Sequence, residues 1–154
     1  MTAATGTATT RTASPRAPVD VVRLLLGLTY VGGALVHLVF WATNRAIYDQ
    51  ITPYILFDWY RDLWTGVVLP NQGVLLPVLA LAEGMIAVAV LSRGRRARTG
   101  LVAGAVFNVC VAPLGFWWPT NAILAAVHVV LFRVEFPESV VERFARTVAV
   151  VSDR

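Results

Sequence analysis

Residues 21–41 read VVRLLLGLTYVGGALVHLVFW, and the reading of that stretch decides the fold. A secretory signal has an apolar region of only about 7–15 residues before a small-residue cleavage site. This run is longer and ends on His37, Leu38, Val39, Phe40 and Trp41, so it reads as a retained membrane span. Comparable runs follow at about 73–91, 97–118 and 121–136, the last with Pro119 just ahead of it, where proline suits a helix start. A hydrocarbon core of ~30 Å needs about 20 helical residues, and a helix satisfies its own backbone hydrogen bonds where lipid offers no partner. The expectation is an all-α integral membrane four-helix bundle formed by residues 19–136.

Composition agrees. Of 154 residues, 57% are hydrophobic and 14% charged, whereas a soluble domain carries roughly 25% charged residues. Too little polar surface is left for a cytosolic enzyme, and the apolar runs exclude a disordered chain. The single cysteine, Cys110, rules out an internal disulfide and any chemistry that needs a pair of thiols. The net charge of +4 comes from 13 arginines and no lysine. These arginines sit at the ends of apolar runs, where orientation signals belong, not in a stripe that would bind nucleic acid.

The flanks follow from the same logic. Residues 1–18 are Thr/Ala-rich without an apolar run and read as a disordered tail. Arg93, Arg95, Arg96 and Arg98 crowd the second link, Arg11, Arg16 and Arg23 the N-terminal side, and Arg133, Arg143 and Arg146 the C-terminal side. The positive-inside rule then predicts a multi-pass cell-membrane protein with both termini cytoplasmic. The 43–72 loop falls outside, with Trp41, Trp59, Trp64, Trp117 and Trp118 as an interfacial belt. Within that loop, residues 55–64 mix aromatics with charges and read as an amphipathic outer-loop segment. After Pro137, Val140, Val141, Phe144 and Val148 recur at helical spacing, predicting a cytoplasmic amphipathic surface helix in the 137–154 tail.

An ionisable residue inside a span costs about 2.5–3.5 kcal/mol on insertion scales, so each marks a candidate site. His37, Glu83 and His128 qualify, and Asn108 adds an amide. Counted at ~1.5 Å per residue from the outer ends, His37 lies ~6 Å deep, His128 ~10 Å, and Glu83 and Asn108 ~15 Å. All four are expected to meet in the outer half of the bundle. Gly33 lies four residues before His37, Ala80 and Gly84 bracket Glu83, and Gly100-x-x-x-Gly104 permits close helix contact. No two potential ligands share a tight spacing on one helix, which argues against a metal; a haem between His37 and His128 has nothing beyond their similar depth to support it, and no nucleotide motif is present. A quinone fits better, because its carbonyls need donors such as an imidazole or a protonated acid among apolar side chains.

Several of these residues resemble DoxX-like membrane proteins. The Gly32-Gly33-Ala34-Leu35-Val36-His37 ending of the first span, then Tyr48 and Ile51-Thr52-Pro53, then Glu83-Gly84, follow that family's pattern over about residues 20–135. The resemblance implies a compact four-helix protein, sometimes a subunit of a quinone-linked sulfur oxidoreductase, and carries over His37 and Glu83 alone. The resulting expectation is a small subunit or accessory of a quinone-linked redox system. Glu83 would bind or relay a proton, and His37, His128 and Asn108 would surround a quinone, with Trp59 and Trp64 of the 55–64 segment covering the pocket. Its partners would be the lipid bilayer, a redox subunit supplying electrons and, in a homo-oligomer, further copies of itself. Alternatives are a non-catalytic assembly or interaction protein, a proton-coupled small-molecule transporter, and a lipid-modifying isomerase.

Overall fold

The computed structural model describes residues 17–152, all helices and turns with no strand among them. The helices are α1 (Ala17–Thr43), α2 (Asp58–Leu63), α3 (Gln72–Leu91), α4 (Gly94–Val111), α5 (Trp118–Phe132) and α6 (Val140–Ser152). A 3₁₀ segment, Arg45–Tyr54, joins α1 to α2, and a π turn followed by a 3₁₀ turn carries α2 into α3. Three helical stretches are long and apolar enough to cross a membrane: Ala17–Thr43, Asp58–Leu91 and Gly94–Leu114.

The expected bounds shift at three places. The N-terminal tail lies outside the described residues except for its last two positions, Ala17 and Pro18, which are already helical. Proline is compatible there because a first-turn N–H has no intrahelical partner. The third apolar run ends at Val111 instead of 118, since Pro113 brings no N–H and Gly115 turns the chain at φ +87°. A Cβ at Gly115 would collide with the Tyr54 carbonyl, so glycine is required there for two reasons. The fourth run forms a helix over 118–132, not 121–136. Its 15 residues rise only ~22 Å, short of a ~30 Å core.

Helix α1 packs on α3, α3 on α4, and α4 on α5. Each of the first three buries one narrow stripe. On α1 it comprises Asp20, Arg23, Leu26, Gly27 and Tyr30; on α3, Leu76, Ala80, Glu83, Ile86, Ala87 and Val90. On α4 it is Ala97, Gly100, Leu101, Gly104 and Asn108. The opposite faces are exposed and aliphatic, including Leu25, Leu28, Val78, Leu81, Val106 and Val109. The polar groups of these stripes thus lie inside among apolar ones while the outer faces are apolar, unlike the polar outer face of a water-soluble helix.

One end of the helices is capped by residues 44–71 and the 112–117 turn. Tyr48, Ile55, Trp64 and Leu76 form a small apolar cluster there. The Leu56 N–H donates to Pro113 O at 3.0 Å, and the Tyr60 hydroxyl donates to Cys110 O at 2.8 Å. Pro77 lies inside α3 and has no N–H to give to the carbonyl of Gly73, four residues earlier. The Trp41 indole N–H fills that vacancy, donating to Gly73 O at 2.8 Å and tying the end of α1 to the start of α3.

The other end is held by a buried charge cluster that the flank reading of the arginines does not anticipate. Arg23 is fully buried and donates to Val90 O from Nε (3.1 Å) and Nη2 (2.9 Å), and also to Ser92 O. These are end-of-helix carbonyls on α3, which lack intrahelical donors. Asp20 accepts from Arg23 at 3.2 Å, and Phe136 lies under the guanidinium at 4.3 Å. Arg143 of α6 reaches the other Asp20 oxygen at 2.5 Å, pinning the last helix to the first. Helix α6 begins with a capping box: the Ser139 N–H donates to Glu142 Oε2 (2.9 Å) and the Glu142 N–H donates to Ser139 Oγ (3.1 Å).

Two outcomes follow from these contacts. Trp41→Phe leaves the Gly73 carbonyl without a donor and should cost about 1–3 kcal/mol in detergent unfolding. Pro77→Ala in the same chain, by restoring an N–H, should return part of the loss. Hydrogen bonds from the Ser139 backbone and hydroxyl, aided by Arg93 and Arg146, hold the Glu142 carboxyl below its ordinary 4.5. A depressed carboxyl pKa stabilises above the ordinary value and loses that contribution as pH falls through the lowered one. Protection of the amides at the start of α6, relative to their intrinsic exchange rates, should therefore fall below about pH 4.5, and Glu142→Gln should flatten that dependence.

Candidate functional site

Glu83 projects from the buried stripe of α3 towards α1 at Gly33. A Cβ at Gly33 would stand 2.5 Å from Glu83 Oε1, so the carboxyl occupies the space a side chain would take. One turn along α1, His37 Nε2 lies 3.5 Å from Glu83 Oε2. That oxygen is buried and accepts no hydrogen bond among the described residues. The other ring nitrogen, His37 Nδ1, meets the hydroxyl of Tyr48 in a short hydrogen bond. If the hydroxyl donates to Nδ1, the proton of a neutral imidazole sits on Nε2 and faces the carboxylate.

Accessibility differs across this set. The Glu83 side chain is 7% exposed and that of His37 20%, so the imidazole is the point at which an outside group can touch the carboxyl. Burial, with the Glu83 charge nearby, pushes the Tyr48 phenol up to about 12. It remains a neutral hydroxyl, fit to donate to an imidazole, throughout the range in which histidines titrate.

Asn108 and His128 come together elsewhere. Asn108 Nδ2 donates to the Tyr30 hydroxyl at 2.7 Å and to Gly104 O at 2.8 Å. The Tyr30 hydroxyl meets His128 Nε2 at 3.1 Å. His128 Nδ1 lies 2.6 Å from Leu124 O and must be the donor there, because a carbonyl only accepts. A neutral His128 then accepts from Tyr30 at Nε2, and the hydrogen bonds run in one direction from amide to phenol to imidazole to carbonyl. Gly104 makes room, since a Cβ there would overlap the His128 ring and the Tyr30 oxygen.

The four polar residues expected in one pocket therefore divide into two sets, Glu83–His37–Tyr48 and Tyr30–Asn108–His128. Among the described residues no hydrogen bond joins the two sets, and along α1 Tyr30 and His37 are seven residues, or ~10 Å, apart. His128 has both ring nitrogens engaged and cannot bond the same small head group as His37. Tyr30 and Tyr48 supply the connections; Tyr48 enters the sequence analysis only as part of the family resemblance, and Tyr30 not at all. Tyr30 carries a signal in hindsight: it precedes His37 by two helical turns, on the same face.

The cap also differs from expectation. The residue touching His37 comes from the 45–54 segment, not from 55–64. Trp64 is buried in the cluster that contains Tyr48, its indole N–H without an acceptor among the described residues. Trp59 is 63% exposed and stacks on Phe57, away from the polar residues. Among the described residues no three His, Cys, Asp or Glu side chains converge in a way that could hold a metal ion. Compared with family models, curated proteins and solved structures, the chain matches none.

The two glycine contacts give a direct test of the geometry. Gly104→Ala drives a methyl into a ring fixed at both nitrogens and should cost about 1–3 kcal/mol. Gly33→Ala should displace the freer end of Glu83, with a smaller loss of stability but a changed His37 ring environment by NMR. Gly32→Ala, where the added Cβ meets nothing within 4 Å, should be neutral or slightly stabilising.

Proposed function

We propose that the chain is a DoxX-like multi-pass membrane protein, and that His37 and Glu83 exchange protons with a quinone in a redox system whose electrons come from a partner subunit. In this reading α1, α3, α4 and α5 form a four-helix bundle with both termini and the arginine-rich turn in the cytoplasm. The exposed aliphatic faces support a lipid surround, because in water they would be large unsatisfied apolar patches. The short α5 is accommodated by local thinning of the bilayer or by its neighbours.

The observation that carries the reading is the Glu83 carboxyl, buried with one oxygen that accepts no hydrogen bond among the described residues and lies 3.5 Å from the His37 ring. In the core of an apolar assembly an acid without full hydrogen bonding is costly, and a purely packing role would favour satisfying it. The Tyr30–Asn108–His128 set shows that arrangement. The difference assigns chemistry to the first set and helix cohesion to the second. Quinone reduction takes up protons as well as electrons. A carboxyl–imidazole pair reached through His37 can hold a proton and pass it to a carbonyl oxygen, while Tyr48 orients the ring. The electrons themselves require a companion protein, as the chain has no redox centre of its own in this reading.

A second reading, an assembly protein without catalysis, draws on the cap surface. Phe57, Trp59, Phe116, Trp117 and Trp118 are each at least half exposed and gather several aromatic rings at one end. Aromatics are enriched both at protein interfaces and at the lipid headgroup level.

Native mass spectrometry in mild detergent separates the two. The proton-exchange reading expects a quinone retained by the wild type and reduced at least about tenfold in Glu83→Gln and His37→Ala, the loss of one charge-assisted hydrogen bond. Yield in the membrane should be unchanged. Quinone absent from the wild type, or retained equally by both variants, contradicts it. Companion subunits indifferent to both substitutions would favour the assembly role.

A further inference from the structure

On the outward face of α3, Pro77, Leu81, Met85 and Val88 line an open groove of about 920 Å³. Helix α1 contributes Leu38, and at the other end the groove reaches Ser92, Arg95, Arg96 and Thr99. From Pro77 to Val88 is ~16 Å of helix, about half of a ~30 Å hydrocarbon core, the depth of one leaflet. A second hollow of about 440 Å³ continues from it, sharing Ser92, Arg95 and Arg96 and adding Arg93, Ser139 and Glu142.

The charges at this junction are not all committed. Arg93 pairs with Glu142 at 3.4 Å, and Arg98 lies over the Phe132 ring at 5.9 Å. Among the described residues Arg95 and Arg96 have no carboxylate within ion-pair distance, and both are exposed. Glu142, the one acid among the described residues that line the polar hollow, is held by Arg93 and the Ser139 N–H. The mouth therefore keeps a positive excess beside a hydroxyl, with an apolar channel leading away from it.

We infer that this groove binds an anionic phospholipid, with its acyl chain along α3 and its phosphate held by Arg95 and Arg96. An apolar molecule would use only the groove, and a soluble anion only the arginines; an amphiphile one leaflet long uses both. Zwitterionic lipid is disfavoured, because its headgroup cation would lie among the arginines with only an engaged carboxylate to meet it. The inference rests on the membrane reading but not on proton exchange at His37 and Glu83, which lie outside the groove lining.

The test uses the full chain in mixed micelles of equimolar phosphatidylglycerol and phosphatidylcholine, with retained lipid counted by native mass spectrometry. The wild type should retain phosphatidylglycerol preferentially. The double variant Arg95→Gln/Arg96→Gln should lose about thirty-fold in that preference, two arginines' worth of attraction to an anionic headgroup. Gly84→Leu fills the groove from a position where an added Cβ meets nothing within 4 Å, so it should fold and yet lose the lipid with its arginines intact. Equal retention of the two lipids by the wild type overturns the inference. So does phosphatidylglycerol retention unchanged by either variant, the case of Gly84→Leu showing that the chain does not lie in the groove. Quinone retention in the same spectra reports separately on Glu83, so one reading can fail without the other.

Discussion

The carboxyl of Glu83 rests against the backbone of α1 in the space left by the absent side chain of Gly33. That contact requires α1 and α3 to approach closely at this level and brings His37 to within 3.5 Å of the acid. It also fixes the facing of α1, whose inward stripe then places Tyr30 against α4 and α5 and Arg23 at the end of α3. The helices are thus held at three levels by polar contacts with small residues beside them, while their outer faces are left aliphatic. In a lipid surround there is little hydrophobic drive between helices, so close packing and interhelical hydrogen bonds must supply the cohesion.

The levels differ in how completely their polar groups are used. At the arginine end, Arg23 spends its donors on Asp20 and on two carbonyls at the end of α3. In the middle, Asn108, Tyr30 and His128 form a directed chain of hydrogen bonds. Nearer the cap, Glu83 keeps an oxygen without a hydrogen bond among the described residues, beside a partly accessible imidazole. An acid oxygen without a hydrogen bond among the described residues, set beside a partly accessible imidazole and not against a guanidinium as at Asp20, is the physical ground for assigning chemistry to Glu83 and His37.

Much of this was legible in the sequence. A polar residue inside an apolar run is conspicuous, so His37, Glu83, Asn108 and His128 stand out, and the runs themselves give three of the long helices. The partner Tyr30 is hidden because tyrosine passes for an apolar residue in such a run, and Tyr48 because it lies in a loop outside the runs. Tyr30 looks like core until its hydroxyl is seen between an amide and an imidazole. Depth counting placed all four polar residues in one half of the assembly but could not say which faces meet, since rise along a helix says nothing of rotation about it. The capping role of Arg23 is hidden for a related reason. An arginine near the start of an apolar run resembles an orientation signal, and only the proximity of the end of α3 reveals it as a buried cap. The exchange between Trp41 and Pro77 was equally invisible, because the missing N–H and its replacement lie 36 residues apart in sequence.

The division into two polar sets can be measured on the histidine rings. Ring ¹⁵N spectra of the full chain, with Glu83→Gln and Asn108→Leu compared against the wild type, report each imidazole separately. Glu83→Gln should move the His37 nitrogens and leave those of His128 in place, whereas Asn108→Leu should do the opposite. An unmoved His37 in Glu83→Gln, or a His128 that shifts as far as His37, would mean that acid and imidazole do not form the separate pair on which the proposed chemistry stands.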